Sequence, residues 1–452
     1  MRDVVGQATA LKRREIIDAL RIGAVPRRGL ELFAAGLERF ERPLKEELDA
    51  VAAGRGKFKA VRGEYGTGKT FFARWLEHLA LEKSFATTLV QISETETPLY
   101  KLETVYRRAV ESLQTREWTQ GAFRSLVDRW FFNLEEEVMS SGVVSANNPM
   151  KVAKAVGDLL ERRLESVSQT QPQFAAALRA SHTARLKQDS ATAEGLIAWL
   201  MGQPNVGASI KLAASIKGEL DNDGAAGFIR GLLEVLKQTG RRGLVLVLDE
   251  VETIQRVRAD SRERSLNALR QLIDDLVGER FPGLYVLITG TPQFFDGPQG
   301  VQRLAPLAQR LQTDFADDPR FDSSRAPQIR LQPFDLERMV AVGRRIRELY
   351  PSEVPDRLTS TVDDEMLGTL ANAVSGQLGG KVGIAPRIFL KRLVNLLDMV
   401  DEHEEFDPRK DFRLTAAMAD LTAEEQAAAG MPSSVDDISL DIPSKPSGSG
   451  LS

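Results

Sequence analysis

Residues 63–70 read Gly63-Glu64-Tyr65-Gly66-Thr67-Gly68-Lys69-Thr70, and this stretch decides the fold. It satisfies the pattern G-x-x-x-x-G-K-[ST] at every fixed position. The segment before it, FKAVRG (58–63), predicts a short strand, and TFFARWLEHLALEK (70–83) predicts an amphipathic helix after it. A glycine-rich loop between a strand and a helix suits phosphate. Glycine lets the backbone wrap with its N–H groups pointing inward. The helix N-terminus adds partial positive charge. Lys69 would reach the β- and γ-phosphates, and the Thr70 hydroxyl would ligate Mg²⁺. Phe71 continues the binding segment into the helix. The bland alternative is a chance turn, which the two matching flanks disfavour.

A partner for this loop lies 180 residues after Lys69. Residues 244–250 read LVLVLDE, an apolar strand ending in two acids, the Walker B pattern to the Walker A pattern above. Asp249 would hold Mg²⁺, mostly through water. Glu250 would orient and polarise an attacking water as general base. A further apolar strand at 284–288 ends in Thr289-Gly290-Thr291-Pro292. In an ATPase with an additional strand between the two halves, Thr289 or Thr291 would contact the water or γ-phosphate; the alternative is a plain Gly-Pro turn. Arg310, in LAPLAQRLQT, would reach the γ-phosphate of a neighbouring subunit, or else is a solvated helix arginine. Arg387, in Gly383-Ile384-Ala385-Pro386-Arg387, starts a helix and would close onto bound nucleotide, or else serves a surface carboxylate.

Strands alternating with helices, apolar throughout, predict an α/β fold. Its centre is a P-loop NTPase parallel sheet covered by helices, with a helical insertion and a small α-helical lid. The expected boundaries are an N-terminal helical segment at 1–53, the first part of the core at 54–110, the insertion at 111–215, the second part of the core at 216–332, the lid at 333–415 and an acidic, mostly disordered tail at 416–452. The absence of Cys excludes disulfides, thiolate metal sites and a thiol nucleophile, and three scattered His argue against a His-rich centre. No segment approaches a membrane span or a secretory leader, so a cytoplasmic protein is expected. The net charge of −4 conceals a split: residues 401–452 hold 12 Asp and Glu against 4 Lys and Arg, leaving residues 1–400 at +4. A mildly basic body permits nucleic-acid binding without arguing for it.

Together these motifs resemble an AAA+ ATPase of the origin-recognition-like and STAND-related branch. More narrowly, REIIDALRIGAVPRRGLELFAAGLERF (14–40), VRGEYGTGKTFFARWL (61–76), GLVLVLDEVETI (243–254) and ITGTPQFF (288–295) are similar to the ATP-binding protein of BREX-type phage-resistance systems. The resemblance covers about residues 10–110 and 215–400. It implies that Val25 and Pro26 lie beside adenine. It also implies ATP and Mg²⁺ as cofactors, other defence-system proteins as partners, and a homo-oligomer if Arg310 acts across subunits. Two departures stand out. The two halves of the core are unusually far apart, and little chain follows the lid where origin-type relatives carry a winged helix.

Three functions follow as expectations. The first is an ATPase acting as a switch or motor in an anti-phage complex. The second is a DNA-handling loader or transposition-type regulator, drawing on Arg256, Arg258, Arg262, Arg264 and Arg270. The third is a nucleotide-dependent scaffold with little turnover. The bland reading of the arginines is a solvated helix balanced by Asp260, Glu263 and Asp274.

Overall fold

The computed structural model describes residues 8–141, 149–377 and 385–412. Five strands form one parallel sheet: β1 Lys57–Arg62, β2 Ala86–Gln91, β3 Leu244–Asp249, β4 Leu284–Gly290 and β5 Gln328–Arg330, in the order β2-β3-β4-β1-β5. Every residue of β3 and β4 is buried, as the unbroken apolar runs LVLVL and LYVLI require of strands covered on both faces. β4 is hydrogen-bonded to β1 on one side and β3 on the other. The register sets Gln91 opposite Asp249, Val61 opposite Thr289 and Arg62 opposite Gly290. Four strands therefore end at one edge of the sheet, where parallel α/β folds hold ligands. Strand β5 is shorter than the stretch APQIRLQPF suggests, although Pro327 and Leu331 at its ends still bond to Ala60 and Arg62 of β1 at 2.8 and 2.9 Å.

The chain divides into two compact units. Of the described residues, one holds those of 34–63 and 68–332; the other gathers those of 8–33, the four residues 64–67 and those of 333–412. In the first unit the helix Lys69–Glu82 packs on β2, β3 and β4. The helices Ala122–Ser140, Pro149–Thr170, Pro172–Leu186, Ser190–Leu200 and Ala208–Ala213 occupy the long interval between β2 and β3. They do not build a core of their own. Their buried residues, Trp130, Phe174 and Trp199 among them, join the sheet's in one cluster.

Phe228, on Asn222–Gln238, is the hub of that junction. Its ring meets Tyr106, Phe174 and Trp199 edge-on at centroid distances of 5.6, 5.1 and 5.2 Å. Each such pair adds about 0.5–1.5 kcal/mol beyond simple burial. Gly231 permits the approach, since a Cβ there would fall 2.8 Å from Phe174. Polar ties close the joint: Trp130 Nε1 donates to Gln238 Oε1 at 2.9 Å, and the Tyr106 hydroxyl donates to the Leu200 carbonyl at 2.8 Å.

In the second unit the helix Ala10–Arg21 lies against Ala385–Glu402, which packs with Leu336–Leu349 and Asp364–Gln377. Arg21 binds both oxygens of Asp398 at 2.9 Å, and the Tyr350 hydroxyl donates to the same carboxylate at 2.7 Å. Among the described residues no helix is long and apolar enough to cross a membrane. Gly383, Ile384 and the predicted tail at 416–452 lie outside the described residues.

Candidate functional site

The loop 63–70 turns as its glycines allow. Gly66 and Gly68 take left-handed φ values of +79° and +90°, which a side chain would resist. The Gly63 N–H donates to the Gly290 carbonyl at 3.1 Å, fastening the start of the loop to β4. Thr67 closes a turn, its hydroxyl donating to the Glu64 carbonyl at 2.8 Å. Glu64 is exposed, and Tyr65 and Phe71 are half-buried. Gly68 caps the helix that begins at Lys69, and the Phe72 N–H donates to its carbonyl at 2.8 Å.

Lys69 is 7% exposed, and its Nζ donates to the Gly63 carbonyl at 3.0 Å. The Thr70 hydroxyl donates to Asp249 Oδ2 at 2.9 Å, joining positions 179 residues apart. Asp249 Oδ1 accepts from the Thr289 hydroxyl, which in turn accepts from the Glu250 N–H at 3.1 Å. A continuous chain Thr70–Asp249–Thr289–Glu250 therefore crosses the strand ends. Sequence reasoning left Thr289 and Thr291 as equals; Thr289 is the one that reaches the acids. Thr291 is buried at the head of the short helix Pro292–Asp296, where its carbonyl accepts from the Phe294 N–H at 3.0 Å.

Glu250 leaves the strand in a left-handed conformation, φ 60° and ψ 43°. That geometry costs a non-glycine residue about 1–2 kcal/mol and tends to occur at functional sites. Its carboxylate accepts from Gln91 Nε2 at 2.8 Å. Gln91 was missed in the sequence, although its place as the last residue of β2 is the signal. Glu252 was missed too. It is 4% exposed, and its Oε1 stands 3.6 Å from Lys69 Nζ. Burial pushes its carboxyl above the ordinary range, with Glu250 and Asp249 adding and Lys69 opposing. The signal was a third acid in Asp249-Glu250-Val251-Glu252.

Arg310 is tied within its own unit to Asp274, and its Nη1 donates to the Pro306 carbonyl at 2.7 Å. In the other unit, Val25 is half-buried and Pro26 buried in the turn after Ala10–Arg21. A Cβ placed on Gly23, two residues before Val25, would lie 3.3 Å from a guanidinium nitrogen of Arg387. Of the five arginines after β3, Arg264 pairs with Asp260 at 3.2 Å and covers the Tyr100 ring at 4.5 Å. Arg270 pairs with Asp274 at 2.8 Å, and Arg262 donates to the Val257 carbonyl at 3.0 Å.

The arrangement offers a helix N-terminus, a lysine, a hydroxyl, a buried carboxylate and a second acid at the end of one parallel sheet. These groups suit a polyphosphate and a hard cation. A family model described as BREX system ATP-binding protein BrxC/D matches residues 9–416. The chain belongs to that family, so it is a component of a BREX defence system from a family named for ATP binding. No curated protein and no solved structure matches.

Proposed function

We propose that this chain is a P-loop ATPase of the AAA+ type that binds ATP with Mg²⁺ and hydrolyses it, acting as a switch or motor within the BREX complex. The observation that carries the reading is the bond from Thr70 to Asp249. It unites the two motifs whose separation in sequence is the chain's oddest feature. The place of β4 between β1 and β3 supports the additional-strand class, with Thr289 as its sensing residue.

The parts divide the work by chemistry. The Gly63–Thr70 backbone and the helix start at Lys69 bind and orient the phosphates. Lys69 neutralises charge on the transferred group. Thr70 and Asp249 would hold Mg²⁺, whose role is to neutralise the same charge; two hard oxygens leaving room for phosphate and water suit that ion. Glu250 takes the proton of the attacking water. Val25, Pro26 and Arg387 are proposed nucleotide contacts from the family resemblance, and Arg310 a contribution to a neighbouring subunit's site. The helices of 111–215 are the proposed platform for partner proteins.

A second reading, a nucleotide-dependent scaffold with slow turnover, draws support from one contact. Glu250 is engaged by Gln91, so the base must first be released. Direct DNA handling has weaker support, because three of the five arginines offered for it, Arg262, Arg264 and Arg270, engage a carbonyl or carboxylates. The test is a pair of variants of the full chain. Lys69→Ala should abolish ATP binding, and Glu250→Gln should keep binding and lose hydrolysis. ATP binding unchanged in Lys69→Ala would remove the reading. Hydrolysis that is negligible in the parent and unchanged by Glu250→Gln would leave the scaffold.

A further inference from the structure

Lys69 needs a counter-charge when no phosphate is present. It is buried, and a buried ammonium without one is costly. The Gly63 carbonyl supplies a dipole at 3.0 Å, and Glu252 supplies the charge at 3.6 Å. That second distance exceeds a good hydrogen bond, so the charges face each other without a formed contact. Both oxygens of Glu252 are enclosed, and neither accepts a hydrogen bond from a described residue. A carboxylate placed to brace the fold would be saturated with donors. This one is closed off from water and offers its capacity to Lys69.

We propose that Glu252 is the resident counter-ion of Lys69 in the nucleotide-free site, and that it competes with the terminal phosphates for that lysine. It is thus a positioning residue that sets how tightly nucleotide is held. The proposal rests on the reading of the loop as an ATP site. On binding, the Lys69 ammonium turns from Glu252 to phosphate oxygens. On release, Glu252 recaptures it, so an emptying site never passes through an unpaired buried lysine. Competition for a lysine that reaches the β- and γ-phosphates has a graded signature. Its strength should follow the number of phosphates, which a general packing role would not.

The experiment is calorimetric titration of the full chain with ATP, ADP and AMP in the presence of Mg²⁺. In Glu252→Gln, ATP should bind about tenfold tighter, ADP less so, and AMP with unchanged affinity. Should Glu252→Gln fail to fold, Glu252→Asp withdraws the carboxylate while keeping the charge, and a tightening of about threefold for ATP is expected. ATP affinity unchanged or weakened in the folded variant, or equal tightening for all three nucleotides, overturns the proposal. If the parent binds ATP and Lys69→Met weakens it while neither Glu252 variant tightens it, the proposal alone falls. If the parent binds no ATP, the reading beneath it falls as well.

Discussion

Two buried lysines stand ten residues apart, each facing a glutamate, and they differ in one respect. Lys59, on β1, is held by Glu47 Oε1 at 2.6 Å and by the carbonyls of Ala326 and Ser324 at 2.9 and 3.4 Å. The other oxygen of Glu47 accepts from the Tyr285 hydroxyl at 2.6 Å. Burial, with the Glu47 charge beside it, pushes the Tyr285 phenol well up, so it remains a donor. That cluster is complete. Lys69, just past the end of the same strand, has a glutamate at 3.6 Å whose oxygens no described residue satisfies. Residue types are alike, and both lysines are buried. What separates structure from site is whether the hydrogen bonds are filled, because a saturated network has nothing left to offer a ligand.

The largest effects would break this comparison outright. Lys59→Met should cost about 3 kcal/mol of stability, since it removes the counter-charge of the partly buried Glu47, and should leave ATP affinity near the parent's. Lys69→Met should do the reverse, with ATP binding lost and a smaller fall in the urea midpoint, because the Glu252 carboxyl, already raised by burial, takes up a proton once the lysine is gone. Similar stability losses in both would mean the two pairs are equally structural. Next in size, Glu250→Gln should lower turnover about a hundredfold or more while ATP still binds, as removal of a general base does. Steady-state phosphate release alongside titration separates the two quantities.

Much of the sheet and of the loop beside Lys69 was legible in the sequence, but little of this contrast. The runs LVLVLD and LYVLITG became the central strands because continuous apolar residues predict burial on both faces, and that is what they show. Gly63–Thr70 and Asp249-Glu250 announce their chemistry through residue type and spacing. Gln91 and Glu252 did not. A glutamine ending a strand and an acid in a short turn carry no period, and only the register of β2 on β3 and the fold around Lys69 give them partners. The Lys59–Glu47–Tyr285 cluster was invisible for the same reason: its members come from separate elements. The helices between β2 and β3 were readable as helices, but not their shared core. Phe228 meets Phe174 through tertiary approach alone.

Smaller effects sharpen the comparison. Tyr285→Phe leaves one Glu47 oxygen without its donor and should cost about 1–3 kcal/mol, with nucleotide affinity unmoved. Thr289→Val, which takes a donor from Asp249 and an acceptor from the Glu250 N–H, should cost a similar amount and also reduce turnover. Equal turnover in the two would place Thr289 among the structural residues. Glu77, buried on the helix that starts at Lys69, supplies a pH test. Burial is the main cause raising its carboxyl above 4.5, although Gln114 donates to it at 3.1 Å. A raised acid favours its protonated form in the folded state. Its contribution is therefore full below the ordinary carboxylate range and is lost as pH rises through the folded value. The stability of the parent relative to Glu77→Gln should fall from acidic to neutral pH. A constant difference would show that Glu77 titrates normally.

The smallest change in stability is expected at Arg310, and there the comparison extends from one chain to two. Arg310 and Arg270 share Asp274, so loss of Arg310 leaves that carboxylate paired. The pair is about a third exposed on the arginine side. Arg310→Ala should cost no more than about 1 kcal/mol. If Arg310 serves only Asp274, turnover will change as little. If it completes a neighbour's site, turnover will fall steeply while the fold is intact. Mixing then decides the matter, because a Lys69→Met subunit still carries Arg310 and an Arg310→Ala subunit still carries Lys69. Recovery of hydrolysis when the two inactive proteins are combined requires an arginine from one chain beside a lysine from the other. Absence of recovery, with each parent folded and Arg310→Ala still binding ATP, returns Arg310 to its place as a partner of Asp274.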